Sequence, residues 1–464
     1  MTGTAPNTTA EQPTIAAVAT PPGTGGIAVI RVSGDQAISV ASRVFVGTDI
    51  ETVDSHTAHH GRIQDAAGDV IDDVLLTVFH APRSYTGENS VEISCHGGAI
   101  IAQSVLRRLL EVGAVHAEAG EYTRRAFLNG KMDLSQAEAV ADLIHAQSEE
   151  ARRASVDQLE GVLSAYIGEV RESLMNAASM MELSLDFVEE DVSFLSAAEL
   201  TASIADAAQR IEQALSTYAS GRLIRDGVLV ALHGPPNVGK SSLLNRLLSR
   251  QRAIVTDIPG TTRDYLEEQV LLQGEYFRLI DTAGLRDSSD SIELEGMAIS
   301  RRIMQEADIV CLLSDAREGV AAGTGMRLRL ESSIEELPLL TVFNKADLVS
   351  DEECDALSRE GEVISALDGD GIDSLKNTLV ARARSMRGAS EKGMVLVTNA
   401  RHAECLRRAL AALVNAKQAG ERGQTEEFLA YEVRQAIDAL SEIIGEVTTE
   451  DLLNSIFARF CIGK

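Results

Sequence analysis

The sequence predicts a multidomain protein with an N-terminal α+β domain, an all-helical domain, and a parallel-sheet α/β domain inserted into the helical one. Its 464 residues are about three times an average domain length, so more than one buried core is expected. β-rich apolar runs occupy the first third, and Ala-, Leu- and Glu-rich runs with apolar residues at three-to-four spacing flank the centre. Between those flanks, apolar β runs alternate with helical patterns, which is typical of a parallel sheet covered by helices.

The N-terminal α+β domain is predicted to span residues 1–130. Residues 14–32 contain two β-rich apolar runs around a loop rich in Pro and Gly, which indicates two strands. Further strands are predicted at 73–79 and 91–95. The apolar spacing of residues 98–112 predicts a helix.

The helical domain is predicted in two parts, residues 131–225 and 389–464, on either side of an α/β domain at 226–388. Both parts are rich in apolar positions, and neither would build a large core alone, so we expect them to pack together. Within the α/β domain, the sequence predicts strands at 227–232, 276–280, 309–313 and 339–343.

Composition and charge limit the classes of function. The chain has 42 Lys and Arg against 70 Asp and Glu, so its net charge is −28. This charge argues against tight, unaided binding to a polyanion, because phosphate recognition depends on Lys and Arg. Five scattered cysteines without a Cys-x-x-Cys pair predict no disulfide framework or zinc site and favour a reducing compartment. No signal-like segment or long uncharged apolar run occurs, so we expect a cytoplasmic protein with no membrane segment.

A phosphate-binding loop is predicted at residues 234–241, GPPNVGKS, which match G-x-x-x-x-G-K-[ST] between a predicted strand and a predicted helix. In that context Lys240 would lie on the β and γ oxygens of a nucleotide, and the Ser241 hydroxyl would ligate Mg²⁺. Residues 281–284, DTAG, follow the next predicted strand. They would supply a carboxylate near the metal and a glycine N–H near the γ-phosphate.

The base is predicted from residues 344–347, NKAD, which follow another strand. Asp347 can accept hydrogen bonds from both N1–H and the 2-amino group of guanine, and adenine has no matching pair of donors. Residues 365–367, SAL, fall where a loop supporting guanine is expected. Four motifs in this order predict a GTPase domain that resembles the translation-factor class of P-loop GTPases.

Water activation is not resolved by these motifs. A glutamine just after the DTAG motif orients the attacking water in Ras-like GTPases, but this chain has Leu285, whose side chain cannot form a hydrogen bond. A carboxylate in the same segment is the simplest replacement. The spacing leaves four candidates open: Asp287, Asp290, Glu293 and Glu295.

Segments in all the predicted regions carry a family resemblance. They are TIAAVATPPGTGGIAVIRVSG, SYTGENSVEISCHGG, GEYTRRAFLNGKMDLSQAEAVADLI, GPPNVGKSSLLN, AIVTDIPGTTRD, DTAGLR, NKAD and CIGK. With these segments the chain resembles the bacterial tRNA-modification GTPase MnmE family, also called TrmE, from about Thr14 onward, and residues 1–11 fall outside the resemblance. The chain departs from the family at Thr24, where relatives commonly carry Arg, and at Tyr122, which replaces a common Phe.

The resemblance implies a function and partners. It implies an N-terminal domain that forms a homodimer and binds a tetrahydrofolate derivative, in the 5-formyl or 5,10-methylene form. It implies that the FAD-dependent protein MnmG (GidA) joins the chain in a heterotetramer. Together they would install an aminomethyl or carboxymethylaminomethyl group at the 5-carbon of the wobble uridine in certain tRNAs. During hydrolysis the G domains would associate across their switch regions, and K⁺ beside the phosphates would replace an arginine finger.

The resemblance also assigns individual residues. The implied K⁺ ligands are Asn237, Thr256, Ile258 and Thr261, and the implied Mg²⁺ ligands are Ser241 and Thr262. The catalytic carboxylate falls on Glu293, which would orient the attacking water. The implied folate contacts are Arg31, Glu92, Lys131 and Lys464, and Cys461 has either a role near the folate or a packing role. The motifs and the resemblance together predict these GTP-binding residues: Asn237, Val238, Gly239, Lys240, Ser241, Ser242, Thr256, Asp257, Ile258, Pro259, Gly260, Thr261, Thr262, Asp281, Thr282, Ala283, Gly284, Asn344, Lys345, Asp347, Ser365, Ala366 and Leu367.

Three functions are weighed on this basis. The first is a hydrolytic GTPase within a tRNA-modifying complex. The second is a regulatory or ribosome-assembly GTPase switch, which would share the nucleotide motifs but has no reason to carry the N-terminal segments or the CIGK sequence. The third is a folate-dependent one-carbon enzyme that its GTPase domain merely regulates. The first accounts for all the matching segments, and the net charge then suggests that the flavoprotein partner supplies much of the basic surface for tRNA.

Overall fold

The structure is a computed structural model that describes residues 12–186, 197–248, 267–282, 292–332, 337–388, 394–422 and 424–464. The described residues divide into two compact units. The first draws on residues 12–141, 158–167 and 441–464, and the second on residues 142–157 and the described residues between 168 and 440. The boundaries of the four segments expected from the sequence, 1–130, 131–225, 226–388 and 389–464, stay a prediction.

The secondary structure follows the chain in three stretches. Up to residue 186 the elements are β1 Ile15–Val18, β2 Ile27–Ser33, α1 Ala37–Ser42, β3 Phe45–Val46, β4 Thr57–Gln64, β5 Val70–Phe79, β6 Ser90–His96, α2 Ala99–Glu111, β7 Val115–His116, α3 Glu121–Leu128, α4 Leu134–His145, α5 Glu149–Leu159 and α6 Val162–Asp186. Up to residue 388 they are α7 Ala197–Ser216, α8 Tyr218–Asp226, β8 Val228–His233, α9 Lys240–Leu248, β9 Glu267–Leu272, β10 Glu275–Asp281, α10 Ile292–Glu306, β11 Ile309–Asp315, α11 Gly319–Glu331, β12 Leu339–Asn344, α12 Asp351–Leu357, β13 Glu362–Ile364 and α13 Ile372–Arg387. The last stretch holds α14 Ala400–Glu421, α15 Glu426–Ile444 and α16 Glu450–Phe457.

The first unit contains a mixed sheet. Its seven strands within the described residues run in the order β3-β4-β5-β6-β2-β1-β7. All neighbours are antiparallel except β1 and β7. Alternate strand residues and one side of α2 form the core, in which Ile30, Leu76, Ile93 and Leu109 have no exposed surface. The predicted α+β character of this region is confirmed.

Residues from the last helix complete this unit. Leu134 of α4 and Phe457 of α16 belong to one apolar cluster. A Cβ added at Gly120 would lie 2.5 Å from the Phe457 carbonyl oxygen, so only glycine allows this approach. Gly463 has a φ of +93°, and a Cβ there would lie 2.6 Å from the carbonyl oxygen of Val18 in β1. The CIGK segment therefore packs against the N-terminal sheet.

The second unit contains the α/β sheet, with strand order β13-β12-β11-β8-β10-β9. Successive residues of β8 face opposite sides: Val230 packs with helices α9 and α13, and Ala231 packs with α10. Helices therefore cover both faces, as expected. The sheet is not wholly parallel, because β9 pairs antiparallel with β10. Gln273 and Gly274 join them with φ of +50° and +88°, the positive angles that a tight type I′ hairpin turn requires.

Helices from the two sides of the α/β segment pack together in the second unit. Helices α7 and α14 pack against each other, and both bury apolar residues, among them Ile204 and Ile211 of α7 and Leu406 and Leu413 of α14. This pairing accounts for the apolar spacing on both sides of the insertion. Within the described ranges, no helix combines the length and the apolar character needed to cross a membrane.

Two helical glycines predict opposite effects on stability. A Cβ at Gly221 of α8 would lie 2.1 Å from the Val397 carbonyl oxygen, whereas a Cβ at Gly168 of α6 meets nothing within 4 Å. We expect Gly221→Ala to lower the free energy of unfolding by about 1–3 kcal/mol through overpacking. Gly168→Ala should raise it by about 0.5–1 kcal/mol, because alanine restricts the unfolded chain. Thermal unfolding measures both, and equal melting temperatures for the two variants would contradict the close approach of Gly221.

Candidate functional site

The phosphate-binding loop joins a buried strand to a helix. β8 carries the loop, and Lys240 is the first residue of α9. The Lys240 ammonium group donates to the carbonyl oxygens of Gly234 at 2.9 Å and Pro235 at 2.8 Å, so it lies against the loop itself. Gly239 has a φ of +101°, and a Cβ there would lie 2.2 Å from Asn344 Nδ2. The loop therefore needs glycine at this position both for its backbone angle and for space.

Ser241, an expected Mg²⁺ ligand, lies next to Asp281, the carboxylate expected near the metal. Ser241 Oγ donates to Asp281 Oδ2 at 2.9 Å, at the end of β10. β10 runs parallel to β8, with Asp281 opposite Leu232, so both strands deliver their carboxyl ends to the same edge. The buried hydroxyl of Thr282 donates back to the Leu232 carbonyl oxygen at 2.9 Å. A hydroxyl and a carboxylate are the hard oxygen donors that Mg²⁺ prefers.

Asn344 links the loop to the predicted base site. Its side chain is buried, and Nδ2 donates to the Val238 carbonyl oxygen at 2.7 Å while Oδ1 accepts from the Ala366 N–H at 2.9 Å. Ser365 Oγ donates to Asp347 Oδ1 at 2.7 Å, which orients an otherwise exposed carboxylate. The structure therefore brings the P-loop, NKAD and SAL motifs together at the carboxyl end of the sheet.

Two residues at this site, Asp315 and Arg246, make contacts that have no signal in the sequence motifs. Asp315, at the end of β11, binds Lys345 Nζ at 2.8 Å and Arg317 at 2.7 Å. The hydrogen bonds from Arg317, with further ones from Lys345, hold the pKa of Asp315 far below its usual value, so it stays ionised. Arg246 of α9 donates to the carbonyl oxygens of Ala366 and Leu367, and Leu367 itself is exposed. An acidic residue ending a buried strand was the available clue to Asp315.

A second group of predicted residues lies on the N-terminal sheet. Arg31 on β2 is directly opposite Glu92 on β6, and its Nε and second terminal nitrogen lie 2.9 and 2.8 Å from Glu92 Oε1. The pKa of Lys464 is lowered by burial and then by the nearby charge of Arg31, which Glu92 partly offsets. We call the Arg31–Glu92 ion pair, together with the nearby Lys464 whose pKa both charges influence, the charged cluster. Lys131 is exposed and donates to the Pro82 carbonyl oxygen at 3.0 Å.

Tyrosines 85 and 122 also contribute to the N-terminal cluster. Arg31 Cζ lies 5.2 Å from the ring centre of Tyr85 and 5.6 Å from that of Tyr122. Cys461 is exposed, and its carbonyl oxygen, not its thiol, accepts from Lys464 N–H at 3.3 Å. Sequence reasoning assigned Tyr85 no role, although it lies in the quoted segment SYTGEN.

Several predicted residues lie outside the described part of the chain. They are Thr256, Asp257, Ile258, Pro259, Gly260, Thr261, Thr262, Ala283, Gly284, Leu285, Asp287 and Asp290, together with the side chains of Glu293 and Glu295. Glu293 belongs by its backbone to the first turn of α10. Of the expected K⁺ ligands, Asn237 is described; it is exposed, with a φ of +60°. Ser242 is exposed in the first turn of α9.

Family models and curated proteins match nearly the whole chain. Residues 14–131 match the model described as GTP-binding protein TrmE N-terminus, and residues 134–461 match the MnmE helical domain. The tRNA modification GTPase MnmE of Chlorobium phaeobacteroides is 44% identical over 463 residues, covering 97% of each chain. The protein of the same name from Moorella thermoacetica is 44% identical over 468 residues, covering 97% of this chain and 99% of its own. Among solved structures, Aquifex aeolicus Era aligns with 41% of this chain and 66% of its own at 25% identity and a TM-score of 0.27, an overlap too small to bear on function.

Proposed function

The chain belongs to the MnmE family of tRNA modification GTPases, and from that membership we propose that it hydrolyses GTP to drive modification of the wobble uridine. In the proposed reaction it acts as a homodimer in a heterotetramer with the FAD-dependent MnmG. Together they form the aminomethyl or carboxymethylaminomethyl group at the 5-carbon, using a tetrahydrofolate one-carbon donor. The reaction would occur in the cytoplasm, where its tRNA substrate is found.

One residue supports the assignment of the nucleotide site most directly: Asn344 joins the phosphate loop to the base loop through two hydrogen bonds. Lys240 would neutralise the β and γ phosphates, and Asp347 would read guanine. Ser241 and Thr262 would hold Mg²⁺, with Asp281 behind Ser241. When bound, Mg²⁺ supplies positive charge at the β and γ oxygens.

A potassium ion is part of the proposed mechanism. Asn237 would hold it through its side chain, together with residues 256, 258 and 261. When bound, K⁺ supplies fixed positive charge where the transition state accumulates negative charge, the role of an arginine finger in other GTPases. Asn237 lies within the phosphate loop, is exposed and has a left-handed backbone, which is compatible with this role. Equal hydrolysis rates in K⁺ and in Na⁺ would contradict the assignment.

The folate donor is proposed for the charged cluster of Arg31, Glu92 and Lys464, with Lys131 as a further contact. A carboxylate such as Glu92 can pair with the amide and amine edge of a pterin, and cations suit the glutamate tail. The terminal nitrogen Nη1 of Arg31 is buried and has no hydrogen-bond partner among the described residues, as expected of a donor that binds a ligand. Cys461 belongs to the same CIGK segment as Lys464, and we assign its thiol no chemical step.

Nucleoside analysis of tRNA tests the proposed function. A strain lacking the gene should lack the modified wobble uridine, and the wild-type chain should restore it. The Lys240→Ala variant should not restore it, because the reaction needs hydrolysis. Purified chain, MnmG, tRNA and a folate labelled in its one-carbon group should transfer the label to the uridine. Unaltered nucleosides in the deletion strain would instead favour a GTPase switch without modifying chemistry.

A further inference from the structure

We propose that Tyr85 and Tyr122 are positioning residues whose aromatic rings hold the Arg31 guanidinium in the orientation that a folate ligand requires. This inference rests on the proposed folate site and adds two residues to it. Neither tyrosine belongs to the charged set of Arg31, Glu92, Lys131 and Lys464.

The rings restrict the guanidinium group. Arg31 Cζ lies 5.2 Å from the Tyr85 ring centre and 5.6 Å from the Tyr122 ring centre. Both distances are within the range at which a cation is attracted to an aromatic ring. The Arg31 side chain is 15% exposed to solvent, so little water competes with these contacts. The two rings and the pairing with Glu92 together restrict its orientation.

The rings are themselves held in place. The Tyr122 hydroxyl donates to the Arg31 carbonyl oxygen at 2.7 Å, and that tyrosine is fully buried. The Tyr85 hydroxyl lies 2.8 Å from Thr123 Oγ1. Burial raises the pKa of both tyrosines, so their rings carry no negative charge at neutral pH. Each ring is therefore uncharged, and its hydroxyl hydrogen bond holds it in place beside Arg31.

The orientation leaves one nitrogen of Arg31 for a ligand. Nε and Nη2 are within 2.9 Å of Glu92 Oε1, whereas Nη1 is buried and has no hydrogen-bond partner in the described structure. Lys464 adds a second positive charge near Arg31, and the two cations repel each other. Without the rings and Glu92, Arg31 would be free to swing toward solvent. In the proposed site, Nη1 donates to an acceptor oxygen of the folate.

Binding of 5-formyltetrahydrofolate to the full-length chain tests the inference. We expect Tyr85→Leu and Tyr122→Leu each to weaken binding about three- to tenfold, the range of a partly desolvated cation–ring contact. Tyr85→Phe keeps the ring and should bind within about twofold of wild type. Tyr431→Leu removes an exposed tyrosine on α15 and is the matched control. Calorimetry gives the dissociation constants, and thermal unfolding reports whether each variant folds.

Measuring Tyr85→Leu in a chain that also carries Arg31→Gln shows whether the ring positions Arg31 or contacts the ligand directly. If the rings act through Arg31, Tyr85→Leu should cause no further loss in a chain that already carries Arg31→Gln. The same loss in both backgrounds would mean that the ring contacts the ligand itself, and it would overturn the inference. Wild-type affinity in Tyr85→Leu would also overturn it. Tyr85 is only partly buried, so Tyr85→Leu is expected to fold. The test can therefore be decided with this variant even if Tyr122→Leu does not fold. If the wild-type chain does not bind the folate, the proposed folate site itself is wrong. If the wild-type chain binds but the tyrosine variants bind equally well, only the positioning role of the tyrosines is wrong.

Discussion

Asp347→Asn is expected to weaken GTP binding about 10²–10⁴-fold, because the carboxylate would form two charge-assisted hydrogen bonds to guanine under the proposed function, each contributing about 1.5–3 kcal/mol. The amide can instead donate to the 2-oxo group of xanthine, so the variant should bind xanthosine triphosphate. Ser365 Oγ, 2.7 Å from Asp347 Oδ1, can still donate to the amide oxygen, which keeps the new side chain in place. Competition binding with a fluorescent nucleotide measures both affinities.

Asp368→Asn is the matched control for this change. Asp368 lies in the same loop, is exposed, and uses its backbone N–H to bind Ser365 Oγ at 3.1 Å, so the substitution removes a charge without touching the base. It should leave GTP affinity within about twofold, since exposed charges contribute little. Equal losses in the two variants would show that loop charge, not base recognition, sets the affinity. An Asp347→Asn chain that binds both nucleotides poorly would contradict the assignment.

Glu293→Ala is expected to lower the GTP turnover number about 10²–10³-fold while leaving GTP affinity nearly unchanged. Leu285 occupies the position of the water-orienting glutamine and cannot form a hydrogen bond, so another side chain must orient the attacking water. Glu293→Gln, which keeps the size of the side chain but loses its charge, should be similarly slow. Single-turnover phosphate release in potassium chloride measures the rate.

The neighbouring acids provide the controls for Glu293. Asp287→Ala, Asp290→Ala and Glu295→Ala each remove one negative charge from the same stretch of chain. All three should retain turnover within about threefold, the scale of a surface-charge effect. Loss of turnover in one of these variants with wild-type turnover in Glu293→Ala would move the catalytic role to that residue.

The nucleotide site could be predicted because its chemistry is local. The loop from Gly234 to Lys240 contains both the glycines and the cation, and the strand before it is apolar on both faces. Asp315 and Arg246 escaped prediction because their contacts with Lys345 and with residues 366–367 join segments that are distant in sequence. No periodicity or motif records such a contact.

Strand prediction failed where strands are polar. β4 has the sequence TAHHGRIQ, in which Gly61 and Ile63 are the buried positions, so no apolar alternation is visible. β9, EEQVLL, begins with acidic residues at the sheet edge, and its turn contains Gln273-Gly274 where Asn-Gly or Asp-Gly is the stronger hairpin signal. The strands with nearly continuous apolar sequence, β8 and β11, lie in the sheet interior and were predicted.

The packing of α16 and the CIGK segment against the N-terminal sheet has a consequence for biosynthesis. Lys464 lies near enough to Arg31 for the charge of Arg31 to lower its pKa, although more than 400 residues separate the two in the sequence. At about 5–20 residues per second, a ribosome needs roughly 20–80 s to make that stretch. During this time Leu134 and its apolar neighbours lack the cover of Phe457. The first domain to emerge is therefore among the last to be completed, and it is open to chaperones until then.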